Sequence, residues 1–100
     1  MLKHVVMWKL KSGAEGRTKQ ENAELMKEML ENLKERISEI EMIEVGININ
    51  QSDAAFDVTL YSEFRDEEAL VSYQKHPEHV KVADFVGKVV NERAVVDYLV

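Results

Sequence analysis

The clearest pattern in the chain is an alternation. Ile43, Val45, Ile47 and Ile49 are interleaved with Glu44, Gly46, Asn48 and Asn50, which predicts a half-buried strand. After a turn over Gln51 to Ala55, Phe56, Val58, Leu60, Ser62 and Phe64 alternate with Asp57, Thr59, Tyr61 and Glu63. The short connection makes the two strands an antiparallel hairpin. An earlier strand, Leu2 to Lys11, is apolar on both sides: His4, Val6, Trp8 and Leu10 on one face, Val5 and Met7 with Lys3 and Lys9 on the other. A fourth, Ala94 to Val100, sets Val95, Asp97 and Leu99 opposite Ala94, Val96 and Tyr98.

Between strands the period lengthens to that of a helix. Thr18-Lys19-Gln20-Glu21 is a capping-box pattern, with Ser12 and Glu15 as a rival start. Met26, Met29, Leu30, Leu33, Ile37 and Ile40 follow on one helical stripe, with Glu24, Lys27, Glu28, Glu31, Lys34 and Glu35 mostly on the solvated face. Asp66 is a good N-cap, followed by Glu67 and Glu68 at the positive end of the helix dipole and by an inward stripe of Ala69, Leu70 and Tyr73. Pro77 breaks this helix and restarts it, because proline lacks an N–H and restricts the residue before it. Val82, Phe85, Val86 and Val89 carry the second segment to about Val90, with Asn91 and Glu92 as its exit.

The order β-α-β-β-α-β predicts an α+β, ferredoxin-like domain spanning residues 1–100, a four-stranded antiparallel sheet with helices on one face. The strands are apolar on both faces, so the uncovered face is an expected interface, and sheet-on-sheet pairing into a homodimer is its simplest closure.

Composition narrows the function. Thirteen basic against nineteen acidic residues give a net charge of −6 with no basic cluster, a poor match to nucleic acid or an anionic membrane. Cysteine is absent, excluding disulfides and thiolate metal sites and fitting a reducing cytoplasm. No apolar run is long enough to span a bilayer, and Met1-Leu2-Lys3-His4 leads into alternation rather than into the apolar run of a signal peptide. The expectation is a cytoplasmic protein. Paired carboxylates, phosphate-cradling glycine loops and nucleophile elbows are missing.

Candidate chemistry centres on Tyr73-Gln74-Lys75-His76-Pro77-Glu78-His79, which holds two of the three histidines and the single proline. The helix break aims Tyr73 and His79 from neighbouring turns toward nearby space, and His4 stands on the first strand. His76-x-x-His79, with Glu78 and Asp84 nearby, could be read as a metal pair, but Pro77 lies between them and the motif holds no strong third ligand. No metal and no cofactor are expected.

Three stretches resemble the stress-responsive A/B barrel (Dabb) family: Lys3-His4-Val5-Val6 with Lys9-Leu10-Lys11, Phe56-Asp57-Val58-Thr59-Leu60 with Phe64, and Tyr73 to Val80, which is similar to its YxxHPxHV motif. The resemblance runs nearly the whole length and implies a dimeric α+β barrel. The family includes a plant polyketide cyclase that closes a linear poly-β-keto thioester by aldol condensation. Carried over by motif, His79 would be the general base, Tyr73 the partner of that base or of the enolate oxygen, and His4 the organiser of substrate and hydrogen bonds. His76 would be structural. A pocket tyrosine of the cyclase falls here on Met26, which donates no hydrogen bond. Trp8, Met26, Met29 and Leu30 are the expected apolar lining of a pocket for a small apolar or carbonyl-containing molecule. If the protein is an enzyme, cyclase- or lyase-type chemistry follows. The alternative is a stress-associated binding or purely structural dimer, with the same three side chains as a polar seal between helix and sheet.

Overall fold

The computed structural model describes residues 1–100. Strand β1 (Leu2–Leu10) leads into a miniature hairpin, β2 (Gly13–Ala14) and β3 (Arg17–Thr18). Then come helix α1 (Lys19–Glu31), a 3-10 turn (Asn32–Glu35), β4 (Met42–Ile47), β5 (Val58–Phe64), α2 (Glu67–Lys75), α3 (Pro77–Val89) and β6 (Val90–Leu99). The sheet order is β4-β5-β1-β6, antiparallel throughout. The expected ferredoxin-like arrangement is present.

Alternation sorts the sheet into two faces. Leu2, His4, Val6, Trp8 and Leu10 of β1 and Val58, Leu60, Ser62 and Phe64 of β5 are buried under the helices. The other face is open and mixed. Val5, Met7, Val96 and Tyr98 share it with a polar cluster in which Lys3 Nζ donates to Tyr61 Oη at 2.7 Å and Tyr61 Oη donates to Glu63 Oε2 at 2.6 Å. The Tyr61 hydroxyl beside Glu63 is held above the usual phenol range, and Glu63, bonded by Tyr61 and then Lys3, below the usual carboxylate range.

Local chemistry sets the boundaries. Thr18 wins the helix start: its Oγ1 accepts from Glu21 N at 3.1 Å, and Glu21 Oε1 accepts from Thr18 N at 2.9 Å. The rival Ser12 instead precedes the small hairpin, whose turn residues Glu15 and Gly16 have φ of 53° and 74°. His76 closes α2 and caps α3, its Nδ1 accepting from Glu78 N at 3.1 Å, with Pro77 in the first turn.

Four expectations shift. Ile37 and Ile40 are buried as their spacing implied, yet lie beyond α1, in the turn and loop that plug the end of the core. Ile49 is not in a strand and is 96% exposed. Pairing ends at Ile47↔Val58, where the side chains of Asn48 and Asn50 take over the backbone: Asn48 Oδ1 accepts from Asn50 N and Asn50 Oδ1 from Ser52 N, both at 2.8 Å. For the same reason the second strand of the hairpin starts at Val58, not Phe56. The last strand begins at Val90, directly out of α3, so Asn91 and Glu92 belong to the sheet, with a register shift between Lys9 and Leu10 absorbing the junction.

Candidate functional site

The helix break and the first strand bring three rings together. Tyr73 lies against His79 with ring centroids 4.5 Å apart, and His4 is 6.4 Å from Tyr73. Phe64, 4.9 Å from Tyr73 and 6.3 Å from His4, packs against both. Register explains the convergence. His4 points to the helix face of a central strand, and the α2–α3 break lets Tyr73, from the end of one helix, and His79, from the first turn of the next, face the same spot.

Each imidazole is fixed through Nδ1. His4 Nδ1 donates to Asp97 Oδ1 at 2.5 Å across the β1–β6 pair, where the register sets His4 opposite Asp97. His79 Nδ1 donates to the Gln74 carbonyl at 3.1 Å. That bond selects the tautomer with a lone pair on Nε2. Burial pushes His79 below the usual histidine range; the Gln74 bond opposes this, and the nearby Arg93 charge adds to it. His79 is therefore neutral at pH 7. Tyr73 is fully buried, its hydroxyl has no protein partner, and burial pushes the phenol up to about 12. It stays protonated and keeps a donor in reserve.

Beside the rings is a hollow of about 230 Å³ between α3 and the sheet, bounded by His4, Trp8, Tyr73, His79, Val86 and Arg93. It is smaller than sites for drug-sized ligands, roughly 300–1,000 Å³, and suits a small organic molecule. A larger hollow, about 530 Å³, lies on the open sheet face under the segment after β4. No ionisable side chain lines it, so it offers no acid–base chemistry.

The expected lining needs correcting. Trp8 and Leu30 border the smaller hollow. Met26 does not: it is fully buried in the core, one turn before Leu30, because only the last turn of α1 reaches the hollow. Met29, about 100° round the helix from Leu30, borders a separate depression with Arg36, Glu78 and Lys81. His76 is spent on the α3 cap, and no group of three or more His, Cys, Asp or Glu side chains gathers as a metal site would require. Two polar residues of the site escaped the sequence reading, Asp97 and Arg93. The one available signal was a carboxylate between Val95 and Leu99 on an otherwise apolar strand face.

The model of the Stress Responsive A/B Barrel Domain matches residues 2–100. The chain belongs to this family. Among solved structures, a dimeric protein of unknown function and ferredoxin-like fold from Bacteroides fragilis is 35% identical, with 97% of this chain and 93% of that one covered at a TM-score of 0.82. A Dabb family protein with a ferredoxin-like fold from Mesorhizobium loti is 22% identical, with 98% and 94% covered and a TM-score of 0.77. The hydroxynitrile lyase from Passiflora edulis is 16% identical, with 99% and 92% covered and a TM-score of 0.83, a likeness of fold alone. No curated protein sequence matches the chain. No helix of this Dabb domain is long and apolar enough to cross a membrane.

Proposed function

We propose that this Dabb protein is a cytoplasmic homodimer, paired through its open sheet face, whose small hollow binds a carbonyl compound and abstracts a proton next to the carbonyl. The observation that carries this reading is the state of the three rings. A neutral imidazole with a free Nε2 touches a buried phenol that has a proton to give and no protein acceptor for it. A second imidazole is clamped beside them by a carboxylate.

The chemistry balances without a cofactor. His79 Nε2 takes the α-proton, and the C–H electrons move into the carbonyl, whose oxygen becomes an enolate. Tyr73 donates a hydrogen bond to that oxygen as charge develops there. In a cyclase-type reaction the enolate carbon attacks a second carbonyl of the same molecule. A carbon–carbon bond forms, and the imidazolium returns its proton to the new alkoxide. His4, held by Asp97, positions the substrate. A donor aimed at developing charge is typically worth about 10²–10³ in rate.

The test needs no knowledge of the natural substrate. Exchange of the α-hydrogens of 4-oxopentanoate, followed by proton NMR in deuterium oxide, should exceed the buffer rate. It should depend on one group titrating below 6.5 and return to background in His79→Ala. Retained binding without exchange in the wild type would reject catalysis in favour of a non-enzymatic binding protein.

A further inference from the structure

Arg93 is the one permanently charged side chain bordering the hollow. It has no partner within the protein. The carboxylates nearest to it on β6 are already engaged: Glu92 pairs with Lys9 at 3.9 Å, and Asp97 with His4 at 2.5 Å. Arg93 itself makes no ion pair or side-chain hydrogen bond, in a chain with nineteen acidic and thirteen basic residues. No Asp or Glu borders the hollow at all. The remaining wall is largely apolar, from Trp8, Val82, Val86 and their neighbours, and an apolar wall strengthens the field of a single charge.

Strand alternation turns Arg93, Val95 and Asp97 to the helix face, with Arg93 opposite Trp8 and Asp97 opposite His4. The cationic end and the histidine end are thus four residues apart, roughly 13 Å along the strand, a gap that the long arginine side chain shortens. A ligand lying along β6 meets a guanidinium at one end and the Tyr73–His79 pair at the other. The fork of a guanidinium matches a carboxylate two bonds at a time.

We infer that the hollow takes a small keto acid, its carboxylate paired with Arg93 and its ketone lying beside Tyr73 and His79. Arg93 is the specificity-determining residue. It selects the anionic acid over the neutral ester or amide of the same skeleton, and it orients the molecule so that the α-carbon faces His79. The volume of about 230 Å³, equivalent to about seven or eight waters, limits the skeleton to a short chain. The inference rests on the hollow being a ligand site, as proposed above.

The probes are 4-oxopentanoate and its methyl ester, titrated at pH 7 and low salt, with the Trp8 indole and the His79 ring signals followed by NMR. In the wild type the acid should bind up to about fivefold more tightly than the ester, the upper range of an exposed charge pair. Arg93→Met, which keeps an unbranched apolar stem and removes the charge, should abolish that preference by weakening acid binding. Arg93→Lys should restore part of it, and rising salt should erode it in the wild type and in the lysine variant. Equal affinities for acid and ester, with both moving the Trp8 signal, would overturn the role of Arg93 while leaving the hollow a ligand site. Absence of any shift at Trp8 and His79 with either probe would overturn both readings. Arg93 is solvent-exposed, so its variants should keep the wild-type melting temperature.

Discussion

Replacing Tyr73 by phenylalanine should make this protein more stable and less capable. The Tyr73 side chain is wholly buried, packed at 4.9 Å from Phe64 and 4.5 Å from His79, and its hydroxyl bonds to no protein group. A buried hydroxyl without a partner costs about 1–3 kcal/mol of desolvation. Phenylalanine keeps the ring and the packing and removes that cost. At the low end the gain is about 1 kcal/mol. A 100-residue chain unfolds with an entropy of roughly 0.2 kcal/mol per kelvin, so the melting temperature should rise by about 5 °C. Differential scanning calorimetry at matched protein concentration checks this, since a dimer melts higher when concentrated. Exchange at the α-carbon of 4-oxopentanoate should fall by about a hundredfold in the same variant. A melting temperature lowered by 5 °C or more would refute the reasoning, because it would mean that the hydroxyl is hydrogen-bonded in the resting protein. A higher melting temperature with undiminished exchange would leave the energetics intact and remove Tyr73 from the chemistry.

Three further outcomes are expected. Met7→Asp puts a charge in the middle of the open sheet face and should convert a dimer to monomer in sedimentation velocity at micromolar concentration; a wild type that sediments as a monomer there would refute the pairing. His79 is held below its unfolded value near 6.5, so between that lower value and about pH 6.5 the unfolded chain binds more protons than the folded one, and stability should rise with pH across this window. His79→Gln should flatten that rise, read from melting temperatures at pH 5 to 7. Gly87→Ala on α3, where a Cβ would meet nothing within 4 Å, should add up to about 1 kcal/mol of helix stability, again checked by calorimetry.

The fold was legible because its signals are local and agree with one another. Period-two alternation in β4 and β5, the Thr18 capping box and the Pro77 break each follow from neighbouring residues, and each pointed to the same order of elements. What failed to show was whatever depends on where a partner stops. The alternation continued through Ile49, but a strand lasts only while another lies beside it, and the last backbone bond between these two segments runs from Asn48 N to Asp57 O. The same division holds at the site. Tyr73 and His79 are six residues apart across one helix break, so their proximity could be read from spacing. Asp97 and Arg93 gain their meaning only from the β1–β6 register, which sets them opposite His4 and Trp8 and which no short-range pattern encodes. Met26 and Met29 show the reverse error. They share a stripe with Leu30, but a stripe says that residues are covered, not by what.

Strand β6 is an edge of the sheet, hydrogen-bonded to β1 on one side only. Edges breathe more readily than interior strands, so the clamp on His4 and the guanidinium at the mouth should loosen in a single event when this strand frays. Whatever shelters the margin of the sheet, a second copy included, would then tune the histidine from a distance. Reactivity that falls on dilution and slows amide exchange at residues 93–97 when recovered would be the signature of a centre finished by its surroundings rather than by its own side chains.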